Sequence, residues 1–221
     1  GQELITVQTT DPRLGIPAFY SMVPGTAFRE RAANSSIAMF AARHIHENRP
    51  GKEAGEELAR MDKALPGRYC IKFYRGMCSL EAGNAREALN FFETAMTLDP
   101  ADQDIPSICS YTGVCLKELG EYEKALSILE KGIARDPDRE DIHNLMGFCH
   151  FMLKHHERSI ACFEKVLALN PASAIDHASI ASNHRELGSR AEAIKYYEMA
   201  LALDPELEFA RKNLQRLTNL N

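Results

Sequence analysis

The chain has 221 residues, 45% hydrophobic and 26% charged, which suits one large folded domain or two small ones. A formal net charge of −5 argues against nucleic acid as a partner, which would need a basic stripe to displace counterions. No apolar run approaches the roughly 20 residues that a membrane span requires, so no membrane partner is expected.

The chain opens with GQELITVQTT, which lacks the basic-then-apolar plan of a secretory leader. A start at Gly1 without Met points to a piece of a longer protein. Six cysteines without a CxxC pair, and no leader, predict free thiols in a reducing cytoplasm.

Residues Glu3–Thr9 are rich in β-branched side chains and read as a strand, Asp11-Pro12 as a turn, and Ile16–Val23 as a second strand. The phrase TTDPRLGIPAFYSMVPG, within residues 4–25, resembles the closing segment of the YcaO family: a strand, a turn, a "GIP" strand and a terminal Pro-Gly. The resemblance implies that residues 1–30 are the β remnant of an upstream domain that activates peptide amides with ATP and Mg. The nucleotide-binding residues of that family lie upstream, so none map here.

Beyond residue 30 the punctuation changes. Pro66, Pro100, Pro137, Pro171 and Pro205 lie 34, 37, 34 and 34 residues apart, and the last four close the phrases MTLDP, IARDP, LALNP and LALDP. Let position 1 be the residue 31 places before each of these four prolines. Position 8 is then Gly76, Gly113, Gly147 and Ala181, and position 20 is Ala88, Ala125, Ser159 and Ala193. Position 24 is Phe92, Leu129, Phe163 and Tyr197, and position 27 is Ala95, Gly132, Val166 and Ala200.

Small residues at positions 8 and 20 let two helices of a hairpin approach. The large residue at position 24 fills the groove between them, and proline ends the second helix. Gly83, Gly120 and Gly188 at position 15 fit a left-handed turn between the helices, where the third copy has Lys154. The pattern resembles the tetratricopeptide repeat across residues 69–207. It departs at position 4, usually aromatic, which here holds Lys72, Cys109, His143 and His177. The implied fold class is all-α, a tetratricopeptide-repeat superhelix (an α-solenoid) after a short N-terminal β segment.

Two segments complete the expected stack. Counting back from Pro66 puts Ala42, Ala54 and Leu58 at positions 8, 20 and 24, so residues 31–68 hold a degenerate helical repeat. Residues 208–221 continue a helical stripe (Ala210, Leu214, Leu217, with Leu207 just before) and form a polar-faced C-terminal capping helix. The three extra residues near Ala101–Asp104 belong to a loop or to a longer second hairpin.

Cys78, Cys115 and Cys149 share position 10 and read either as a redox or soft-metal ladder or as compact core residues. Neighbouring helices about 8–10 Å apart are too distant for disulfides, which need Cα atoms within about 7 Å. His143 and His177 at position 4, and His150 and His184 at position 11, replace aromatic packers. Two histidines seven residues apart on a helix stand about 10 Å apart along the axis and do not share one zinc ion. No catalytic motif, phosphate-cradling loop or metal set appears, so no catalytic residue, cofactor or metal is assigned and the chain is read as a non-enzyme.

By resemblance, positions 2, 5, 9, 12 and 13 of each first helix line a concave groove. They supply Phe73, Met77 and Leu80 in the first copy; Ser110, Val114, Lys117 and Glu118 in the second; Asn144, Phe148, Phe151 and Met152 in the third; and Ala178, Ser182, Arg185 and Glu186 in the fourth. Of these, Phe73, Met77, Leu80, Val114, Lys117, Asn144, Phe148, Phe151, Met152 and Arg185 are the candidate partner-binding residues. Large apolar groups on a solvated wall imply a protein or peptide ligand, with the chain's own N-terminal segment as the competing occupant. The Lys and Asn with which chaperone-tail-binding members grip a carboxylate are replaced by Phe73 and Met77. The expected function is protein–protein interaction, or else the recruiting tail of an ATP-dependent YcaO-type enzyme. The partner is a protein, or an upstream domain of the same chain. Self-association would run through the N-terminal segment.

Overall fold

Proline punctuation and small-residue spacing set most of the helix ends. The computed structural model describes residues 5–11, 16–22 and 36–219, with side chains from residue 38 onward. Leu4, the Pro24-Gly25 close and the expected boundary near residue 30 lie outside the described residues.

Strands β1 (Ile5–Asp11) and β2 (Ile16–Met22) pair antiparallel, Ile5 opposite Met22 through Asp11 opposite Ile16. Helices α1 (Ser36–Asn48), α2 (Gly51–Ala64), α3 (Tyr69–Glu81) and α4 (Ala85–Thr97) follow. The extra residues form a 3-10 turn, Asp102–Asp104, leading straight into α5 (Ile105–Glu118), whose first turn tolerates Pro106. Then come α6 (Tyr122–Ile133), α7 (Glu140–Met152), α8 (His156–Leu169), α9 (Ala174–Glu186), α10 (Arg190–Leu203) and α11 (Glu208–Thr218). The helices group into two compact units, one ending at Ile108 and the other beginning at Cys109.

In the first unit, α1 packs on α2 and α3, and α3 on α4. Ala42, Ala54 and Leu58 are fully buried, as are Ala88, Phe92 and Ala95 in the next hairpin. A Cβ on Gly76 would stand 2.7 Å from Phe92 Cε1, so only glycine admits this ring. Tyr69 donates its hydroxyl to Asp104 at 2.7 Å, tying the start of α3 to the 3-10 turn.

In the second unit, successive helices pack in chain order from α6 to α11. The same contact recurs: a Cβ on Gly113 would lie 2.6 Å from Leu129 Cδ2, and one on Gly147 would lie 2.8 Å from Phe163 Cζ. Fully burying a ring such as Tyr197, which is 0% exposed, contributes about 1.5–3 kcal/mol. In the third copy, the position-20 Ser159 donates to Gly147 O (2.8 Å) and accepts from Asn183 (2.9 Å), so its hydroxyl is satisfied in the core. Ala210 and Leu217 of α11 close the core on Ala178 and Tyr197.

The turns inside the hairpins confirm the glycine register and show its exception. Gly83, Gly120 and Gly188 sit at φ +78°, +74° and +75°, and Lys154 at +61°. Each is followed by the same closing bond, Asn84 N–H to Ser79 O (2.8 Å) in one turn and His155 N–H to His150 O (2.9 Å) in the Lys154 turn. Lysine adopts the left-handed conformation there because the hydrogen-bonding pattern demands it, against its steric preference.

Candidate ligand-binding wall

In the first unit, Phe73, Met77 and Leu80 lie on α3, all half-buried. The Phe73 ring stands 5.6 Å from the buried Phe92 ring and edge-on to Tyr74 at 5.3 Å, so it packs partly into the core of its hairpin.

In the second unit, Val114 and Lys117 project from α5, Asn144, Phe148, Phe151 and Met152 from α7, and Arg185 from α9. Phe148 and Met152 are the open apolar groups here, 39% and 43% exposed. Lys117 Nζ lies 5.6 Å from the Phe148 ring centre, and Tyr122 meets that ring edge-on at 6.3 Å. The result is an aromatic platform with a cation over it. Phe151 is half-buried, its ring 5.7 Å from His156.

Two sequence-predicted wall residues are occupied in joining helices. Asn144 donates to Asp176 at 2.6 Å, and Arg185 bonds Asn213 of α11 and Glu186 (2.7 Å). Burial pushes the Asp176 carboxyl above its ordinary range, against the hydrogen bonds from Ser173 and Asn144. Burial also acts on Asp141, but hydrogen bonds from Arg139 and Ser110 outweigh it and hold that carboxyl below its usual value.

Three further expected wall positions are corrected. Ser110, Ala178 and Ser182 are buried. Ser110 turns its hydroxyl to Asp141 (2.6 Å) of the next hairpin, and Ser182 is 3.0 Å from the Tyr197 hydroxyl. Ala178 lies in the core that α11 completes.

Conversely, Ile175 and Phe209 are 53% and 45% exposed. They occupy position 2 of the fourth copy and the equivalent place on α11, so the register already held Ile175, and extending it one helix further would have found Phe209.

The cysteine and histidine ladders are packing features. Cys78, Cys115 and Cys149 are buried free thiols, and burial pushes Cys115 up to about 12 and Cys149 to about 11. His143 donates Nε2–H to Pro137 O at 2.8 Å, and His184 stacks on Tyr196 with centroids 5.5 Å apart. Among the described residues no three His, Cys, Asp or Glu side chains are grouped to hold a metal ion, and no helix is long and apolar enough to cross a membrane.

Sequence models of the tetratricopeptide repeat match residues 114–181 and 177–207. These are tetratricopeptide repeats. Solved structures with this fold include YrrB, described as a tetratricopeptide-repeat protein with an unusual peptide-binding site. It superposes with a TM-score of 0.72 at 14% identity, over 82% of this chain and 93% of that one. MamA of Desulfovibrio magneticus RS-1 gives a TM-score of 0.69 at 17% identity, over 78% and 98%. The first such domain of Spaghetti (RPAP3), bound to the HSP90 peptide SRMEEVD, gives 0.51 at 22% identity, over 53% and 93%. At these identities the likeness is one of fold. No curated protein matches this sequence.

Proposed function

We propose that this chain is a protein-interaction module without catalytic activity of its own, and that its second unit holds an apolar segment of a partner protein or peptide. The observation that carries this reading is the Phe148–Met152 platform. Two large apolar side chains stand open on a helix whose opposite side is packed, with Lys117 over the Phe148 ring. A contiguous exposed apolar surface of this kind marks an interaction site. Support also comes from the peptide-binding descriptions of YrrB and RPAP3. Phe73 and Met77 stand where the carboxylate grip of chaperone-tail-binding members would need Lys and Asn, which argues against a ligand of that kind. Six free thiols suit a reducing compartment such as the cytoplasm. The test is an array of 12-residue peptides graded in apolar content, probed with the purified chain and with Phe148→Glu/Met152→Glu. Binding that rises with apolar content and disappears in the variant supports the reading. Binding unchanged by the variant overturns it.

A second reading makes the chain the substrate-recruiting tail of an ATP-dependent YcaO-type enzyme. It rests on the resemblance within residues 4–25 and on the antiparallel pairing of β1 with β2. A two-stranded sheet alone is marginal in water, so this element gains from a further strand, in an upstream domain or in a second copy. Deleting residues 1–25 then leaves the helices folded and lowers self-association, as read by light scattering and melting. Unfolding of the truncated chain would instead make the strands integral to the helical fold.

A further inference from the structure

His150 is nine-tenths buried at the C-terminal end of α7, and its Nδ1 has no hydrogen-bond partner. Its ring centre lies 5.8 Å from that of His155, the residue just before α8. The two are also joined through the backbone, because His155 N–H donates to His150 O (2.9 Å) and closes the turn between α7 and α8. The turn between them contains Lys154 in its left-handed conformation. The same turn therefore carries a left-handed lysine, a buried imidazole whose Nδ1 is unpartnered and a second imidazole against it.

We propose that the His150–His155 pair is an acid-sensitive latch: protonation of His150 works against the closed α7–α8 turn and loosens the end of α7 that presents Phe148, Phe151 and Met152. A proton on His150 has to be accommodated in a buried site. The charged groups that bear on it are His155 in the turn, Arg158 of α8 and Glu130 of α6. Burial, then His155 and Arg158, hold the His150 imidazole below its usual value, and Glu130 opposes them from an exposed position. A lowered folded-state value means that the unfolded chain takes up the proton first. The contribution to stability is therefore complete above the ordinary histidine value near 6.5 and is lost as pH falls from there through the folded-state value. Over that window one proton raises the unfolding equilibrium constant by at most about tenfold per pH unit.

The bearing of the latch on ligand affinity rests on the function proposed above, but its test needs no ligand. The His150 imidazole of the whole chain is titrated by NMR from about pH 8 to pH 5, across the ordinary histidine value. Exchange of the Lys154 and His155 amides is followed over the same range, corrected for intrinsic rates. The expected results are a His150 midpoint below 6.5, a shift of that midpoint upward in His155→Gln, and faster exchange of both amides as His150 protonates. His150→Gln should flatten the pH dependence of unfolding in this window, and the NMR arm decides the matter should that variant fail to fold. A His150 midpoint at or above the ordinary value, or amide exchange indifferent to its titration, overturns the proposal.

Discussion

Phe163 lies so close over Gly147 that an added Cβ would meet its Cζ at 2.8 Å, whereas a Cβ on Gly55 in α2 would meet nothing within 4 Å. One substitution should therefore have opposite signs at the two sites. Alanine in place of a helical glycine with open space around its Cβ gains about 1 kcal/mol from helix propensity. At Gly147 that gain competes with overpacking that costs about 1–3 kcal/mol. Gly55→Ala is expected to raise the melting temperature and Gly147→Ala to lower it, by roughly 2–4 °C per kcal/mol for a chain of this size. Two shifts of the same sign would refute the packing account of position 8.

The left-handed turn at Lys154 gives a stabilising prediction. Left-handed backbone costs an ordinary residue about 1–2 kcal/mol, part of which is offset by the greater chain entropy that glycine loses on folding. Lys154→Gly, which restores the residue found at Gly83, Gly120 and Gly188, should stabilise by about 0.5–1 kcal/mol. Denaturant midpoints measure this at constant slope. A loss of stability would show that the lysine side chain holds the turn.

On the wall, exposure separates residues available to a ligand from those that serve the fold. Phe148→Glu with Met152→Glu should abolish peptide binding and leave the melting temperature within about 2 °C, the range expected of exposed substitutions. Phe151→Glu should also weaken the fold, because that ring is half-buried against His156. Circular-dichroism melts alongside binding curves separate the two effects. A marked fall in stability in the double variant would place Phe148 and Met152 in the core.

Thiol chemistry should follow burial. Cys70, Cys109, Cys115 and Cys149 are buried, with thiols pushed up to about 11 or 12, and should react slowly with a thiol reagent near neutral pH. Cys162 is half-buried, so it is expected to label first, although burial pushes its thiol to about 11 as well. Mass spectrometry of the labelled native chain gives the order. Fast modification of Cys115 or Cys149 would mean that position 10 opens in solution.

How much of this was legible in the residues differs between fold and wall. Helix ends follow from local chemistry. A proline cannot extend a helix and a glycine adopts the left-handed turn cheaply, so the spacing from Pro66 to Pro205 locates the hairpins without tertiary information. The facing of positions 8 and 24 is also local, because both helices belong to one hairpin and the large residue has one groove to fill. The wall is different, since its exposure depends on what packs over each hairpin. Position 5 reads alike in Ser110, Asn144 and Ala178. Yet Ser110 bonds the next hairpin, Asn144 is tied to Asp176 while staying half-exposed, and Ala178 disappears beneath α11. Sequence alone determined which residues could face the groove. Only the packing of each hairpin against its neighbour decided that Phe148 and Met152 stay open while Arg185 is spent on Asn213, because burial there is set by contacts between residues about thirty positions apart.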